Sequence, residues 1–259
     1  LFMKNTKNSR ELSNLIDKYL IPQENEKKSN AEFSTPYNLR QEMLDKIPIE
    51  FWRSVKKVFE PCAGKGGFLF DIIDKFMEGL EKAIPDEKLR YKTIVEECLY
   101  FSDINSTNIF ICKLLIDPYN EYKLNYYDGN TLELDIKEKW EIDGFDAIIG
   151  NPPYHYPFRI GIGGKSLWSE FVKYSLETLK ENGLLLYVHP ASWRKPENKM
   201  KDIMFNKQIH HLSIHNSSEG LKHFGAATRY DYYLMQNIKP YNHRTRTTVC
   251  TRVPWYHRI

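Results

Sequence analysis

The sequence has few cysteines and no long apolar run, and each shortage excludes a class of protein. Only four cysteines occur among the 259 residues, at positions 62, 98, 112 and 250, and none has a neighbour at a metal-binding spacing. They indicate reduced thiols rather than a disulfide framework. No apolar stretch approaches the length of a membrane span, and no signal peptide is visible. We therefore expect an intracellular, cytoplasmic protein without a membrane partner.

A strong excess of charge of one sign is also missing. The chain has 37 Lys and Arg against 34 Asp and Glu, a net charge of +3. This balance permits nucleic-acid binding through local patches but does not argue for it. The histidines lack cysteines or carboxylates at ligand spacing, so no metal site is predicted. The chain begins with Leu1 rather than Met and ends abruptly, which suggests a fragment of a longer protein.

What is present indicates one large α/β domain. The composition, 41% hydrophobic and 27% charged, is that of a soluble globular protein. Apolar strands alternate with helices: strands over 55–60, 99–102, 125–127, 145–149 and 184–189, and helices over 68–82, 105–116 and 167–180, the last capped by Asn182-Gly183. This order predicts a mostly parallel sheet with helices on both faces. Segments 210–215 and 231–236 are predicted to close it, as an antiparallel pair.

Two flanking segments differ from this domain, which spans residues 33–238. Residues 1–32 are polar, with a short helix predicted over Glu11–Leu20 followed by a linker. Residues 239–259 form a tail that mixes basic and aromatic residues, a combination suited to phosphate contacts. A solvated tail is slightly favoured over a defined contact with nucleic acid.

The turn from Glu60 to Phe68 follows the first strand and contains several glycines. Gly64 and Gly66 allow the backbone to come close to a ligand. The turn is not a P-loop, because no Gly-Lys-Ser/Thr follows, and it fails as a dinucleotide fingerprint because Leu69 stands where the third glycine is required. Glu60 would repel a pyrophosphate but attract an ammonium or sulfonium group. The alternative is a tight turn that only packs the strand on the helix.

Two carboxylates stand at the ends of the next strands. Asp103 is placed to accept hydrogen bonds from the two hydroxyls of a ribose, although Asp at such a position is often a helix cap. Asp128 could bind an exocyclic amine, although Asp-Gly also forms simple turns. Because ligands of such sheets lie beyond the carboxyl ends of the strands, we expect both residues to share one site with the Glu60 turn.

The fourth strand runs into Gly150-Asn151-Pro152-Pro153-Tyr154. Two consecutive prolines can neither continue a strand nor enter a helix interior, so the backbone there is stiff. It forms a rigid shelf that carries an amide oxygen, a free carbonyl and a flat ring. This set of groups is suited to gripping an amino group on a planar heterocycle.

Together these motifs resemble the class I S-adenosylmethionine-dependent methyltransferases, specifically the amino-specific adenine DNA methyltransferases. Asn151–Tyr154 is similar to the catalytic motif of that family, and Glu60–Phe68 to its cofactor loop. Ser34-Thr35-Pro36 resembles the motif that precedes the loop in the gamma arrangement. Leu167–Phe171 and Gly183–Trp193 resemble later structural motifs. The resemblance covers most of the chain, from Phe33 to Gln236.

The resemblance implies a Rossmann-like fold with a seven-stranded sheet. It also implies an activity, the transfer of a methyl group from S-adenosylmethionine to N6 of an adenine flipped out of double-stranded DNA, in a restriction-modification system. It implies a catalytic set of Asn151, Pro152, Pro153 and Tyr154, with the base stacked between Tyr154 and Phe224. It implies a cofactor-binding set of Thr35, Glu60, Pro61, Ala63, Gly64, Gly66, Asp103, Ile104, Asp128 and Gly129. For Phe224, plain loop packing is an equal alternative.

The chain departs from the gamma pattern at its end. A target-recognition domain normally follows the last catalytic motif, and residues 239–259 are too short for one. Specificity is then expected from a separate subunit, from a missing C-terminal domain or from the loop Pro157–Gly164. Three other functions stay open: methylation of RNA, methylation of a protein glutamine amide, and a non-catalytic methyltransferase-like subunit.

Overall fold

The computed structural model describes residues 34–155, 166–241 and 246–250. The predicted helix Glu11–Leu20 and the loop Pro157–Gly164 lie outside the described residues. The predicted domain boundaries stay predictions. Five residues of the expected tail, Arg246–Cys250, form a strand.

The described residues form one eight-stranded sheet, and its strands are almost continuously buried in the middle of the sheet. In chain order they are β1 Val58–Glu60, β2 Leu99–Asp103, β3 Asn125–Asp128, β4 Phe145–Gly150, β5 Leu179–Pro190, β6 Gln208–His215, β7 Tyr230–Gln236 and β8 Arg246–Cys250. Their spatial order is β3-β2-β1-β4-β5-β7-β6-β8. Only β7 runs antiparallel to its neighbours. The predicted mostly parallel sheet and the antiparallel pairing of 210–215 with 231–236 are confirmed.

Eight α-helices cover the two faces of the sheet in the described part of the chain. They are α1 Tyr37–Leu44, α2 Gly67–Gly79, α3 Glu87–Thr93, α4 Ser106–Ile116, α5 Ile136–Trp140, α6 Leu167–Thr178, α7 Met200–Phe205 and α8 Ser217–Phe224. The side chains of the strands contribute to two separate hydrophobic cores, one on each face of the sheet. Phe101 and Ile149 pack with α1, α2 and α4 on one face, and Phe59 and Ile148 pack with α6 and α7 on the other. Successive side chains of a strand point to opposite faces, which explains the division.

Two sequence expectations are wrong in detail. The predicted count of seven strands is one too low, because β8 pairs in parallel with β6 through partners such as Leu212 and Thr247. The helix α6 ends at Thr178 rather than at Asn182-Gly183. Asn182 does adopt a left-handed conformation (φ 66°), but it lies within β5, beyond the helix end.

Several short helices begin at a polar side chain that caps the backbone. The side chains of Asn105 and Asn216 accept hydrogen bonds from the first backbone N–H groups of α4 and α8. Such caps satisfy donors that have no partner inside a helix. Among the described helices, none is long and apolar enough to cross a membrane.

Candidate active site

The loop between β1 and α2 is shaped by two glycines in left-handed conformations. Gly64 has a φ of 51° and Gly66 a φ of 87°. A Cβ on Gly66 would lie 2.8 Å from the ring of Phe70 and 3.2 Å from Sγ of Cys112. Ala63, buried at the centre of the loop, donates its N–H to the carbonyl of Ser102 at 3.0 Å. The loop is therefore packed closely against β2 and α4 and has one preferred shape.

The carbonyl of Pro61 anchors the start of this loop. Ser102 Oγ donates to it at 3.1 Å and Thr131 Oγ1 at 2.6 Å, and the two hydroxyls lie 2.8 Å apart. Both side chains are buried. This network joins the ends of three neighbouring strands beneath the loop, and neither hydroxyl was selected from the sequence.

Asp103, at the end of β2, binds the loop directly. Its Oδ2 accepts the N–H of Gly64 at 2.8 Å, and its Oδ1 accepts the N–H of Asn105 at 2.8 Å and Nδ2 of Asn108 at 3.3 Å. The carboxylate is 8% exposed. Capping a helix is only part of the role of Asp103, because the side chain of Asn105 provides the cap of α4.

Glu60, the last residue of β1, is almost completely buried, with 2% exposure. Its Oε2 is buried and has no hydrogen-bond partner among the described residues. Burial raises the pKa of this carboxyl well above its usual range; the charge of Arg40 opposes the rise, and Asp103 and Asp71 add to it. A buried carboxylate oxygen without a donor is costly, and a cationic ligand would satisfy it.

Thr35 and Arg40 reach this region from outside the sheet. Thr35 is 5% exposed, and its carbonyl accepts Nη1 of Arg40 at 2.5 Å. Arg40 Nε donates to Asp71 Oδ2 of α2 at 2.6 Å. Arg40 thus connects the segment ahead of the loop to the helix that follows the loop.

Asp128 and Ile104 are the exposed members of the predicted cofactor set. Asp128 is paired with Asp103 across β2 and β3, and its Oδ1 accepts Ser106 Oγ at 2.8 Å. Gly129, next to it, donates its N–H to the carbonyl of Asp103 at 3.0 Å. Ile104 is 65% exposed, an unusual degree for an apolar side chain beside polar strand ends. An exposed apolar side chain here could cover one face of a planar ligand.

Asn151 to Tyr154 follow β4 without any further helix or strand, as the two prolines require. A Cβ on Gly150 would lie 3.7 Å from both Glu60 Cγ and Pro61 Cδ, so the shelf starts beside the cofactor loop. Pro152 is buried, whereas Asn151 and Pro153 are half-buried. The carbonyl of Tyr154 accepts the N–H of Leu167 at 3.1 Å, which fixes the shelf to the start of α6.

Phe224 is the last residue of α8, not part of a loop, and faces the shelf. Its ring centroid lies 6.4 Å from that of Tyr154, with 73° between the ring planes. Gly225, with a φ of 66°, ends the helix at once. The facing rings form no parallel slot in this structure, so a base stacked between both would require them to turn and separate to about 7 Å, twice the contact distance of stacked rings.

An aromatic cluster stands behind Phe224. Tyr230 packs edge-to-face on Phe224 (5.0 Å, 87°) and is stacked on His215 (4.3 Å, 8°). Its hydroxyl lies 2.6 Å from Nδ1 of His223. A Cβ on Gly220 would lie only 2.0 Å from the carbonyl oxygen of Thr228, so α8 is also pressed against the backbone that follows it.

The structure brings the predicted residues together at one edge of the sheet, as the strand-end argument required. Glu60, Asp103 and Asp128 lie at the ends of β1, β2 and β3, and Asn151 lies after β4. The sequence analysis missed four residues that form hydrogen bonds or an ion pair around the site: Arg40, Asp71, Ser102 and Thr131. Nothing local distinguishes them in the sequence, since each is recognised only through a partner more than 25 residues away.

Comparison with known proteins agrees with this geometry. Residues 97–221, just under half of the chain, match the model of the Eco57I restriction-modification methylase family. A relative from Mycoplasma pneumoniae, described as an uncharacterized adenine-specific methylase, is 23% identical over 71% of this chain. The match covers 62% of that relative, so the chain spans less than two thirds of its length.

Solved structures give the fold. A modification subunit of a putative type I restriction enzyme from Vibrio vulnificus matches 91% of this chain and 50% of its own, at 16% identity and a TM-score of 0.64. A putative class I S-adenosylmethionine-dependent methyltransferase from Listeria monocytogenes matches 94% of this chain and 73% of its own, at 14% identity and a TM-score of 0.63. The chain has the fold of the class I S-adenosylmethionine-dependent methyltransferases. The predicted fold class is thereby confirmed.

The family match includes three of the four strand ends described above. It begins just before β2 and continues through Asp103, Asp128 and Asn151 to α8. The cofactor loop and Thr35 precede the matched residues. Their expected roles are therefore inferred from the structure and from the sequence motif, not from the family match.

Proposed function

We propose that this chain transfers a methyl group from S-adenosylmethionine to the exocyclic N6 amine of an adenine flipped out of double-stranded DNA, in a restriction-modification system. The observation that supports it best is the position of the Asn151–Tyr154 shelf. A Cβ on Gly150, the residue just before the shelf, would lie 3.7 Å from Cγ of the buried Glu60, and Tyr154 of the shelf faces Phe224. One edge of the sheet thus offers a site for a cation beside a site for a planar amine.

The residues present fit the methyl donor. The unpartnered, buried Oε2 of Glu60 is suited to its ammonium group, and the close backbone at Gly64 and Gly66 allows a ligand to approach. Asp103, whose Oδ2 accepts the N–H of Gly64, would accept a hydrogen bond from a ribose hydroxyl, since a carboxylate oxygen can accept more than one. Ile104 would cover the adenine ring and Asp128 would accept from its amine. S-adenosylmethionine supplies an electrophilic methyl group on a sulfonium.

Asn151 and Pro152 act on the target amine. The lone pair of an adenine amine is delocalised into the ring, so the amine is a poor nucleophile. Hydrogen bonds from its two N–H groups to the Asn151 side-chain oxygen and the Pro152 carbonyl favour a pyramidal nitrogen with a localised lone pair. Such bonds accelerate the reaction because they strengthen toward the transition state. The methylated amine is cationic and loses its proton readily, so no strong base is required.

The target base must leave the duplex to reach this shelf. Flipping costs a few kcal/mol, and stacking on aromatic rings offsets part of that cost. Tyr154 provides one ring and Phe224 the other, with Pro153 stiffening the backbone between Pro152 and Tyr154. Sequence specificity would come from a separate subunit or from a recognition domain elsewhere in the full-length protein.

The test is mass spectrometry of DNA, RNA and protein after incubation with S-adenosylmethionine that carries a labelled methyl group. The expected product is N6-methyladenine in DNA, formed far more slowly when Asn151→Ala replaces the wild type. Label on RNA or on glutamine amides would contradict the DNA assignment. Calorimetry with S-adenosylmethionine would show no binding heat at millimolar cofactor if the chain were a non-catalytic subunit.

A further inference from the structure

The short turn that follows β5 carries a guanidinium group that is held by a completely buried carboxylate. Arg194, the last residue of the 3-10 turn Ala191–Arg194, donates from Nε to Oδ2 of Asp231 at 2.7 Å and from Nη2 to Oδ1 at 3.2 Å. Trp193 Nε1 donates to Oδ2 at 2.9 Å. The side chain of Asp231 is 0% exposed, whereas that of Arg194 is 34% exposed. One side of the guanidinium is therefore fixed, and part of it stays accessible to a ligand.

The backbone that carries Arg194 is fixed as well. The indole of Trp193 is completely buried, and its centroid lies 6.4 Å from that of the Tyr233 ring. The N–H of Ala191 donates to the carbonyl of Arg229 at 3.0 Å, which connects the turn to the residue just before β7. An ion pair that only joined two elements could often be replaced by apolar residues without loss of stability. The fixed guanidinium is therefore a candidate for a role in binding.

The turn lies at the substrate edge of the sheet, beside the shelf. β5 is the neighbour of β4, and Gly150 is paired with Tyr187, three residues before Pro190 at the end of β5. At about 3.3 Å per residue and 4.8 Å between strands, the turn begins roughly 11 Å from the start of the shelf. Pro190 is also paired with Tyr230, whose ring packs on Phe224. We therefore expect the sugar-phosphate backbone of a base held on the shelf to run near this turn.

The surface around Arg194 has an excess of positive charge. Three further cations on the turn segment and the adjoining connection are exposed: Lys195, Lys199 and Arg229. Glu197 is the one acid among residues 191–199. Asp231 offsets part of the charge of Arg194, so the neighbouring cations supply the attraction and Arg194 supplies the direction. Nη1 of Arg194 makes no hydrogen bond to the described residues, and a guanidinium presents its N–H groups in a planar fork that matches phosphate oxygens.

We propose that Arg194 binds a phosphate of the target DNA strand next to the flipped adenine, and that Asp231 orients it for this contact. The inference rests on the proposed function and assigns the turn Ala191–Arg194 to the DNA backbone rather than to the base. Phosphate contacts fix the position of a duplex without reading its sequence. Loss of Arg194 should therefore weaken binding to the same degree on different sequences.

The test is the salt dependence of binding to a short duplex DNA of mixed sequence, measured by fluorescence anisotropy. Each neutralised phosphate contributes about 0.9 to the slope of log K against log salt concentration. Arg194→Gln should make the slope shallower by about 0.9, so affinity falls about 15-fold at 50 mM salt and about 4-fold at 200 mM. Arg194→Lys keeps the charge and should keep most of the slope. Affinity for S-adenosylhomocysteine should stay at the wild-type value in both.

Two changes at Asp231 separate a local contact from overall charge. Arg194→Gln with Asp231→Asn removes both charges of the pair, leaves no unpaired buried carboxylate and keeps the net charge at +3. It should lose the same slope as Arg194→Gln, and it replaces that variant if the single change fails to fold. Asp231→Asn alone adds net positive charge and would tighten binding if charge alone mattered. It should instead weaken binding a few-fold, because Arg194 is no longer held; tighter binding would remove the orienting role.

A matched control is Arg53→Gln. Arg53 is also the last residue of a 3-10 turn, Ile49–Arg53, and is paired with Glu50 at 3.7 Å, but it precedes β1 at the opposite edge of the sheet. This variant should keep the wild-type slope and affinity. A folded Arg194 variant with the wild-type slope, or one that loses no more than Arg53→Gln, would overturn the proposal. Wild-type protein that binds no duplex would contradict the proposed function, and the inference with it.

Discussion

The half of the site formed by β1 to β3 and the half formed by β4 to β7 are stabilised by different chemistry. In the first, which we call the cofactor half, the contacts are hydrogen bonds and ion pairs. The carbonyl of Pro61 accepts two hydrogen bonds, the carboxylate of Asp103 accepts the N–H of Gly64, and Arg40 pairs with Asp71. In the second, the target half, they are ring contacts around Phe224 and Tyr230.

The difference matches the ligands that each half is proposed to bind. A cationic donor with hydroxyls needs fixed acceptors, and a flipped base needs flat, apolar faces. Asn151 lies between the halves, so its substitution should separate them most clearly.

Asn151→Ala is expected to have the largest effect. It removes the acceptor that we propose acts in the transition state, a loss of about 10²- to 10³-fold in kcat for a single such contact, while the affinity for S-adenosylhomocysteine stays near that of the wild type. Single-turnover methylation and calorimetry measure the two quantities. A parallel loss of both would show that the shelf only supports the fold.

The two halves should also respond to pH in opposite directions. Burial lowers the pKa of His189, which is stacked on Trp168 (4.2 Å), to about 4. Its folded pKa lies below the unfolded value of 6.5, so its contribution to stability is present above pH 6.5 and is lost as the pH falls toward 4. The loss is roughly 3 kcal/mol at the end of that range. Glu60, whose pKa is raised, contributes at low pH and loses that contribution as the pH rises.

Urea unfolding at pH 7, 6 and 5 tests the histidine. His189→Gln should make the free energy of unfolding less dependent on pH than in the wild type. His215, whose pKa burial also lowers to about 4, keeps part of the dependence. Identical slopes in variant and wild type would contradict this assignment.

Phe224→Ala should weaken the target half alone. Loss of one stacking ring costs about 1–3 kcal/mol per base, so DNA methylation at low substrate should fall about tenfold or more while cofactor affinity is unchanged. Fluorescence of 2-aminopurine at the target position reports flipping directly. Phe224→Tyr is the matched control and should flip the base normally. If Phe224→Ala also flipped the base normally, Phe224 would serve only to pack the end of α8.

Thr131→Val should have the smallest effect and act on the cofactor half. The variant removes one of two donors to the Pro61 carbonyl but keeps the side-chain shape, at a cost of about 1 kcal/mol in the free energy of unfolding. A modest loss of S-adenosylhomocysteine affinity should accompany it. Unchanged affinity would mean that Ser102 alone fixes the loop.

The sequence was most informative where burial alone determines structure. The run Phe145–Ile149 predicted β4 to within one residue, because a strand buried on both faces is largely apolar; the exception, Asp146, is half-buried. Glycines and strand-end acids likewise placed Glu60 and Asp103 at one edge, since parallel strands end together.

The sequence was least informative where a residue depends on a distant partner. Arg40 resembles a surface residue of α1 until Asp71, 31 positions later, is found beside it. The helix α8 was missed although Asn216 and Glu219 form a cap signal, because its apolar stripe is short. β8 is a strand only because β6 is next to it.

The reversed direction of β7 has a consequence for how such a site can change. Because β6 ends and β7 begins at the substrate edge, the connection over residues 216–229 stays at that edge and does not cross over the sheet. Insertions there would reshape the wall around the base while the hydrogen-bonded register of the strands stayed intact, as surface connections tolerate. New target preferences could arise at this connection without rebuilding the fold.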